Sequence, residues 1–435
     1  MISNRRRAIL AAIGIGTAGI GAVGIWAAKP RAKGAPHAPY FADLALAVKR
    51  AGIATPTVVI DRAQLLRNVA QVMSNVNGRM DVRMVVKSLP CQALVDAILG
   101  LTHSRKMMLF SLPQLNLMAK GDNDILLGKP LPVAAAANFY RQFAAHADAF
   151  SPERQLQWLV DTPERLTQYR DLARQLGVTM RINLEIDVGL HRGGIADLET
   201  LHRMLAILQG EPRLQWSGMM GYDAHVAKIP DLFGSRQKAL AHARETYALF
   251  AAEAQKILGG SRVQQPGSKF TFNAAGSPTY RLYDGSGIEN ELSIGSAMVK
   301  ASDFDLPGLE DLQPAVFIAT PVLKVMERFA MPYGVEAIGA AARAWDPNQQ
   351  KAVFIYGGNW LADPVSPAGL SASGLYGTSS NQQMLTESGA QQLQPDDVVF
   401  FRPRQSEAVL QQFGDIAVFD GGKITDMWPV FPATG

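Results

Sequence analysis

The stretch DVRMVVKSLPCQAL, residues 81–94, closes the apolar run Met84-Val85-Val86 on Lys87 and then turns into a second apolar run. A lysine at a strand end ordinarily turns out to water. Held at the mouth of a closed fold, its amine can instead attack a carbonyl. Three later stretches carry polar groups of matching chemistry. LEIDVGLHRGG supplies Asp187, His191 and Arg192, GMMGYDAH supplies Tyr222, Asp223 and His225, and FNAAGSPTY supplies Asn273, Gly276 and Ser277. A Gly-Ser turn offers backbone N–H groups and a hydroxyl to a phosphate. An amine, a phosphate cradle, an arginine and an imidazole on one rim suit a phosphorylated aldehyde held as a Schiff base, and pyridoxal phosphate fits best.

These residues can meet only if the elements before them end on one face. Short apolar, β-rich runs at 82–86, 107–110, 124–127, 156–160, 179–186, 214–221, 270–273 and 291–294 alternate with helical segments. One helix opens at Thr162-Pro163-Glu164, with a capping threonine and proline in the first turn. Another is capped by Asp61 and runs to about Val76. Eight strands in this alternation predict an α/β chain closing into a (β/α)8 TIM-type barrel, whose active site lies at the carboxyl ends of the strands. The earlier run TVVI, from Thr57, then has no place in the barrel and is expected to dock on a second domain.

From about Pro314 the runs shorten and are separated by Gly, Pro and Asp turns, which predicts a C-terminal, mostly antiparallel β domain with little helix. Residues 359–377, rich in Ser, Pro and Gly, read as a long loop. The expected division is a signal or anchor at 1–30, a linker and entry segment at 31–54, the barrel at 61–305, and a β domain made of 55–60 with 306–435.

The 435 residues are 48% hydrophobic and 18% charged, an ordinary globular balance, and the net charge of +4 gives no nucleic-acid surface. A single cysteine, Cys91, excludes an intramolecular disulfide and Cys-based zinc sites. At the N-terminus three arginines precede an uncharged run from Ala8 to Ala28, which as a helix would span roughly 30 Å. Gly14-x-Gly16-x-x-Gly19 inside that run matches a dinucleotide fingerprint in letters alone, since no strand precedes it. Arg6-Arg7 before the Gly/Ala-rich run resembles a twin-arginine export signal, with a plain membrane anchor as the alternative. Either leaves the protein in the periplasm or tethered to the inner membrane facing it, with its N-terminus contacting membrane or export machinery.

The motifs TPTVVIDRAQLLRNV, VVKSLP, EIDVGLHRGG, GMMGYDAHVA, AGSPTY and ELSIGSAMV, in that order, resemble the fold-type III pyridoxal-phosphate enzymes. The nearest resemblance is to the D-threonine aldolase and D-serine dehydratase branch, related to alanine racemase through its barrel. It covers about residues 50–305 and resumes in the last fifty residues. The resemblance implies a lyase acting on a small D-amino acid, with Lys87 carrying the cofactor. It implies His225 stacked on the ring, Arg192 near the phenolate, Gly276 and Ser277 on the phosphate, Tyr222 and Asn273 beside them, and a homodimer. Where that branch carries P-x-H-x-C or P-x-H-x-D for a metal, this chain reads Pro403-Arg404-Gln405-Ser406-Glu407. Gln405 and Glu407 would suit Mn²⁺ or Mg²⁺ better than zinc, or the metal is lost. A racemase of the same fold and a non-catalytic pyridoxal-phosphate-binding protein at the membrane stay open as alternatives.

Overall fold

The computed structural model describes residues 29–143, 149–259, 269–374 and 376–432. The readings made on Arg6, Arg7 and the apolar run to Ala28 lie outside the described residues. Among the described residues no helix is long and apolar enough to cross a membrane. The chain divides into two compact units whose segments interleave: Leu46–Ala319 with Trp360–Asp363 and Phe401–Gly435, and the residues to Ala45 with Thr320–Asn359 and Pro364–Phe400.

In the larger unit, β1 (Thr57–Asp61) stands outside the barrel. Strands β2 (Asp81–Val85), β3 (Lys106–Leu109), β4 (Asp124–Leu127), β5 (Leu156–Val160), β6 (Met180–Ile186), β7 (Leu214–Gly221), β8 (Thr271–Ala274) and β9 (Glu291–Ile294) form the closed barrel. Each lies within one residue of its sequence expectation. Parallel pairing of β2 with β9, from Asp81↔Glu291 to Met84↔Ile294, seals the ring. Asp61 caps the helix Arg62–Val76 as expected, its carboxylate accepting from the Gln64 N–H at 3.0 Å. Between β6 and β7 the register skips a residue after Ile182, and Gly218 follows with φ +140°. A Cβ there would stand 1.9 Å from the Thr271 carbonyl oxygen, so only glycine lets β7 and β8 approach this closely.

The remaining strands are β10 (Val316–Met326), β11 (Lys351–Tyr356), β12 (Ala362–Ser366), β13 (Ser371–Ala372), β14 (Gln382–Glu387), β15 (Val398–Pro403), β16 (Ile416–Asp420) and β17 (Lys423–Trp428). β1 pairs antiparallel with the first residues of β10, from Thr57↔Ala319 to Ile60↔Val316, and parallel with β16, which pairs antiparallel with β17. In the smaller unit the later half of β10 pairs with β11, β11 with β14 and β14 with β13, all antiparallel. The region read as mostly antiparallel β with little helix carries one helix longer than a single turn, Glu336–Trp345, among the described residues, and β12 and β13 fall within the segment read as a loop.

The barrel interior holds charge where branched aliphatic layers are usual. Arg83 on β2 is fully buried. Its Nη2 donates to Glu291 Oε2 at 2.9 Å and Asp124 Oδ1 at 3.0 Å, and its Nη1 to the carbonyls of Met107 and Asp124 at 2.9 Å. Lys106 donates to the same Glu291 carboxylate at 2.8 Å. Burial pushes the Glu291 carboxyl up, but the Arg83 guanidinium and the Lys106 ammonium outweigh it and hold it below the usual carboxylate range. Removing one partner of a buried pair strands the other charge. Arg83→Met should therefore cost about 3 kcal/mol in urea denaturation, with Lys106 still facing Glu291. Arg83→Met with Glu291→Leu should recover part of that loss, and a single variant as stable as the parent would refute the account.

Glu185, toward the end of β6, is buried, and burial followed by Asp161 pushes its carboxyl up to about 7. The native state thus holds a proton that the unfolded chain has released. Its contribution is complete below about pH 4.5 and is lost as pH rises through about 7, a span worth up to about 3 kcal/mol. Glu185→Gln should flatten the fall in stability between pH 5 and pH 8. Parallel stability–pH curves for parent and variant would show that Glu185 does not titrate this way.

Candidate active site

Because β2 ends at Val85, Lys87 falls in a 3₁₀ turn, Val86–Ser88, rather than on the strand. That turn and the helix Gln92–Thr102 after it swing the amine over the carboxyl end of the barrel. Its Nζ lies 4.6 Å from the centroid of the Phe110 ring and 3.7 Å from Glu407 Oε1. Phe110 follows β3, and its ring takes space that any side chain on residue 128 would fill. A Cβ at Gly128 would come within 2.3 Å of the ring.

The loop after β6 is tied to itself by Asp187. That carboxylate accepts from the N–H groups of Gly189 and His191 at 3.0 Å and faces His191 Nδ1 at 2.8 Å. Arg192 is left to reach inward, its guanidinium 4.9 Å over the Tyr222 ring. Tyr222 follows β7 and is largely buried, which pushes its hydroxyl up. Its ring presses on the backbone of Gly276, where a Cβ would stand 2.5 Å from Cε2.

The loop after β8 is fixed from behind. Asp223, fully buried, accepts from Thr279 Oγ1 at 2.6 Å and from the Tyr283 hydroxyl at 2.9 Å. Thr279 Oγ1 in turn accepts from the Gly276 N–H at 3.2 Å. Ser277 Oγ accepts from the N–H groups of Gly295 and Ala297, both at 3.1 Å, and so binds the loops after β8 and β9 together.

One cavity is lined by Lys87, Arg192, Tyr222, Asn273, Gly276 and Ser277. Glu407, read from sequence as a metal ligand, lines it as well, so seven residues singled out in the sequence converge on it. His225 opens the short helix His225–Lys228 and lines a neighbouring concavity with Lys228 and Pro230 instead, and burial lowers its imidazole's proton affinity. Gln405 is turned aside, its amide nitrogen donating to Asp303 Oδ2 at 3.0 Å. Ser88, Phe110, Ser293 and Ser296 also line the cavity and were not singled out from sequence. All four stand at or just beyond barrel-strand ends, so the rule that selected Lys87 could have found them.

These groups fit a phosphorylated aldehyde. The amine can bond the carbonyl carbon, and Ser277 Oγ, which accepts from the Gly295 and Ala297 N–H groups, keeps its own proton to offer a phosphate beside Gly276. The metal position fits less well. Gln405 is engaged with Asp303, Glu407 faces Lys87, and among the described residues no group of three or more His, Cys, Asp or Glu side chains could hold a metal ion.

The family model for the alanine racemase N-terminal domain matches residues 60–303. No curated protein matches the chain. Among solved structures, a D-threonine aldolase from Filomicrobium marinum is 16% identical with a TM-score of 0.66, covering 87% of this chain and 95% of that one. D-threo-3-hydroxyaspartate dehydratase from Delftia sp. HT23 is 16% identical with a TM-score of 0.63, over 87% and 97%. An alanine racemase from Bacillus anthracis with bound L-Ala-P is 15% identical with a TM-score of 0.62, over 86% and 98%. At such identities the likeness carries the fold alone. The match across the barrel, over more than half of the chain, is what places this protein, and it belongs to the family of the alanine racemase N-terminal domain.

Proposed function

We propose that the protein is a pyridoxal-phosphate-dependent lyase acting on a small D-configured β-hydroxy amino acid, of D-threonine aldolase or D-serine dehydratase type. Lys87 is the residue that carries the cofactor. The observation supporting this most directly is the convergence of Lys87, Arg192 and the Gly276-Ser277 turn on one cavity at the carboxyl end of a closed barrel. When bound, pyridoxal phosphate draws electrons from the amino acid joined to it, so that a bond at Cα or Cβ weakens.

The chain's own residues have separable tasks. The Gly276-Ser277 turn holds the phosphate, the Ser277 hydroxyl being fixed by the N–H groups of Gly295 and Ala297 with its own proton left to donate. Arg192 offers a fixed positive charge beside the Tyr222 ring, and Tyr222 walls the cavity. Lys87, with its side chain 39% exposed, can exchange one amine for another and return a proton to the product.

A racemase is the second reading. It is favoured by the Gln405 amide, which is committed to Asp303 rather than offered with Glu407 to a metal that could grip a substrate hydroxyl. Purified protein should show a visible chromophore that borohydride fixes to Lys87 and that Lys87→Ala abolishes. Mixed with D-threonine or D-serine, with and without Mn²⁺, it should release glycine and acetaldehyde, or pyruvate and ammonia. Appearance of the L-enantiomer instead would select the racemase, and the absence of any lysine-bound cofactor would end both readings.

We also propose that Arg6-Arg7 and the apolar run after them direct the chain to the periplasmic side of the membrane. Cell fractionation should then recover the protein there. Recovery from the cytosol alone would remove the proposal.

A further inference from the structure

Glu407 is held in a specific orientation by hydroxyl groups that the reading above leaves without a task. Ser88, Ser296 and Ser406 are all buried, and they come from three separate parts of the barrel unit. Ser296 Oγ donates to Ser88 Oγ at 2.9 Å, and Ser406 Oγ donates to Glu407 Oε2 at 3.2 Å. Ser406 and Ser296 lie 3.3 Å apart, and Ser296 Oγ is 3.4 Å from the same Oε2. One carboxylate oxygen is therefore held by Ser406, and the other, Oε1, is aimed at Lys87 Nζ across 3.7 Å. At that distance a small shift of either side chain completes a hydrogen bond, and a third of the Glu407 side chain remains in contact with solvent.

We propose that Glu407 is the proton-exchange partner of Lys87, with Ser406 as the residue that orients it. The proposal rests on Lys87 condensing with an aldehyde. In that step the ammonium of Lys87 gives a proton to Glu407, and the freed lone pair forms a bond to the carbonyl carbon. The carbonyl oxygen takes one further proton from the attacking nitrogen and a second, the one Glu407 received, and leaves as water. The nitrogen keeps its last proton in the C=N bond formed. One water is released and Glu407 ends as it began, so no oxidant or metal enters. At the position where the resemblance implies a metal ligand, this chain carries a carboxylate turned to the lysine.

The rate of pyridoxal phosphate loading, followed by borohydride trapping at Lys87, tests this. Glu407→Gln keeps the shape and the serine contact but cannot accept the proton, and should slow loading by at least about tenfold. Its final yield of trapped adduct should match the parent. Glu407→Asp should retain part of the rate, Ser406→Ala should fall between parent and Glu407→Gln, and formate should speed loading of Glu407→Ala. A purely structural role would not respond to formate. A second probe needs no cofactor: trinitrobenzenesulfonate at pH 7 should label Lys87 about tenfold faster in apo Glu407→Gln than in the parent, because the counter-charge is gone. Slower loading with faster labelling supports the proposal. Unchanged rates, or both moving in one direction, overturn it. If the parent traps no adduct, the functional reading fails and the labelling comparison alone decides whether Glu407 partners Lys87.

Discussion

The cavity at the barrel mouth stands on a buried ion pair. Arg83 and Glu291 face each other inside the barrel, and removing two charges from water is costly unless every donor and acceptor is matched. Here the matching is dense, with Asp124, Lys106 and two backbone carbonyls completing the set. Glu291 Oε1 also accepts from Asn273 Nδ2 at 2.9 Å, which fixes which way the Asn273 amide points. Its oxygen then accepts from Ser293 Oγ at 2.9 Å. A serine hydroxyl has one proton, and this one is spent on Asn273. Any further polar contact Ser293 makes with a ligand must therefore be as an acceptor. A charge pair deep in the barrel thus sets the hydrogen-bonding sense of a group on the cavity wall.

The rim is organised by the same logic with a carboxyl at its centre. Burial pushes the Asp223 carboxyl up, and the hydroxyls of Thr279 and Tyr283 oppose that rise. Through Thr279 the effect reaches the N–H of Gly276, so the turn proposed to hold phosphate is braced by a residue outside the cavity lining. Ala275, just before the turn, sits at φ +60°, where an L-residue with a side chain is strained by about 1–2 kcal/mol. The Asp223–Thr279–Tyr283 contacts offset that strain. A loop held this way needs little reordering when it meets an anion.

Much of this was legible in the sequence because barrel strands announce themselves locally. The alternation of apolar runs and helices yields all eight strands, and the strand-end rule then selects Lys87, Arg192, Tyr222, Asn273, Gly276 and Ser277. His225 lies three residues past Tyr222 and begins a helical turn that sets it in an adjoining concavity, which Arg192 and Tyr222 also line. Arg83 was illegible. In DVRMV it occupies an alternate position like any water-facing residue, and only partners 24, 41 and 208 residues away show that the position faces the barrel interior. The helix Glu336–Trp345, EAIGAAARAW, is rich in alanine, the strongest helix former, but it is short and flanked by β-rich runs that mask its local signal.

The same non-locality governs when the site can exist. Glu407 reaches Lys87 only after the chain has built the barrel, left it and returned. Several contacts flank that return. Arg402 pairs with Asp305 at 2.7 Å, Arg404 with Asp303 at 3.3 Å, β16 lies beside β1, and the Phe431 N–H donates to the Pro90 carbonyl at 2.8 Å. Closing so long a loop costs little more entropy than closing one of half the length, but the contacts that reward it form late. Residues 46–319 contain the lysine and the Gly-Ser turn, yet lack the carboxylate and the Ser406 hydroxyl that complete the cavity around them. A folded barrel is thus necessary for this site and insufficient for it. Residues 402–432, tied to the barrel unit by these contacts, help build the cavity around Lys87 rather than merely append to it.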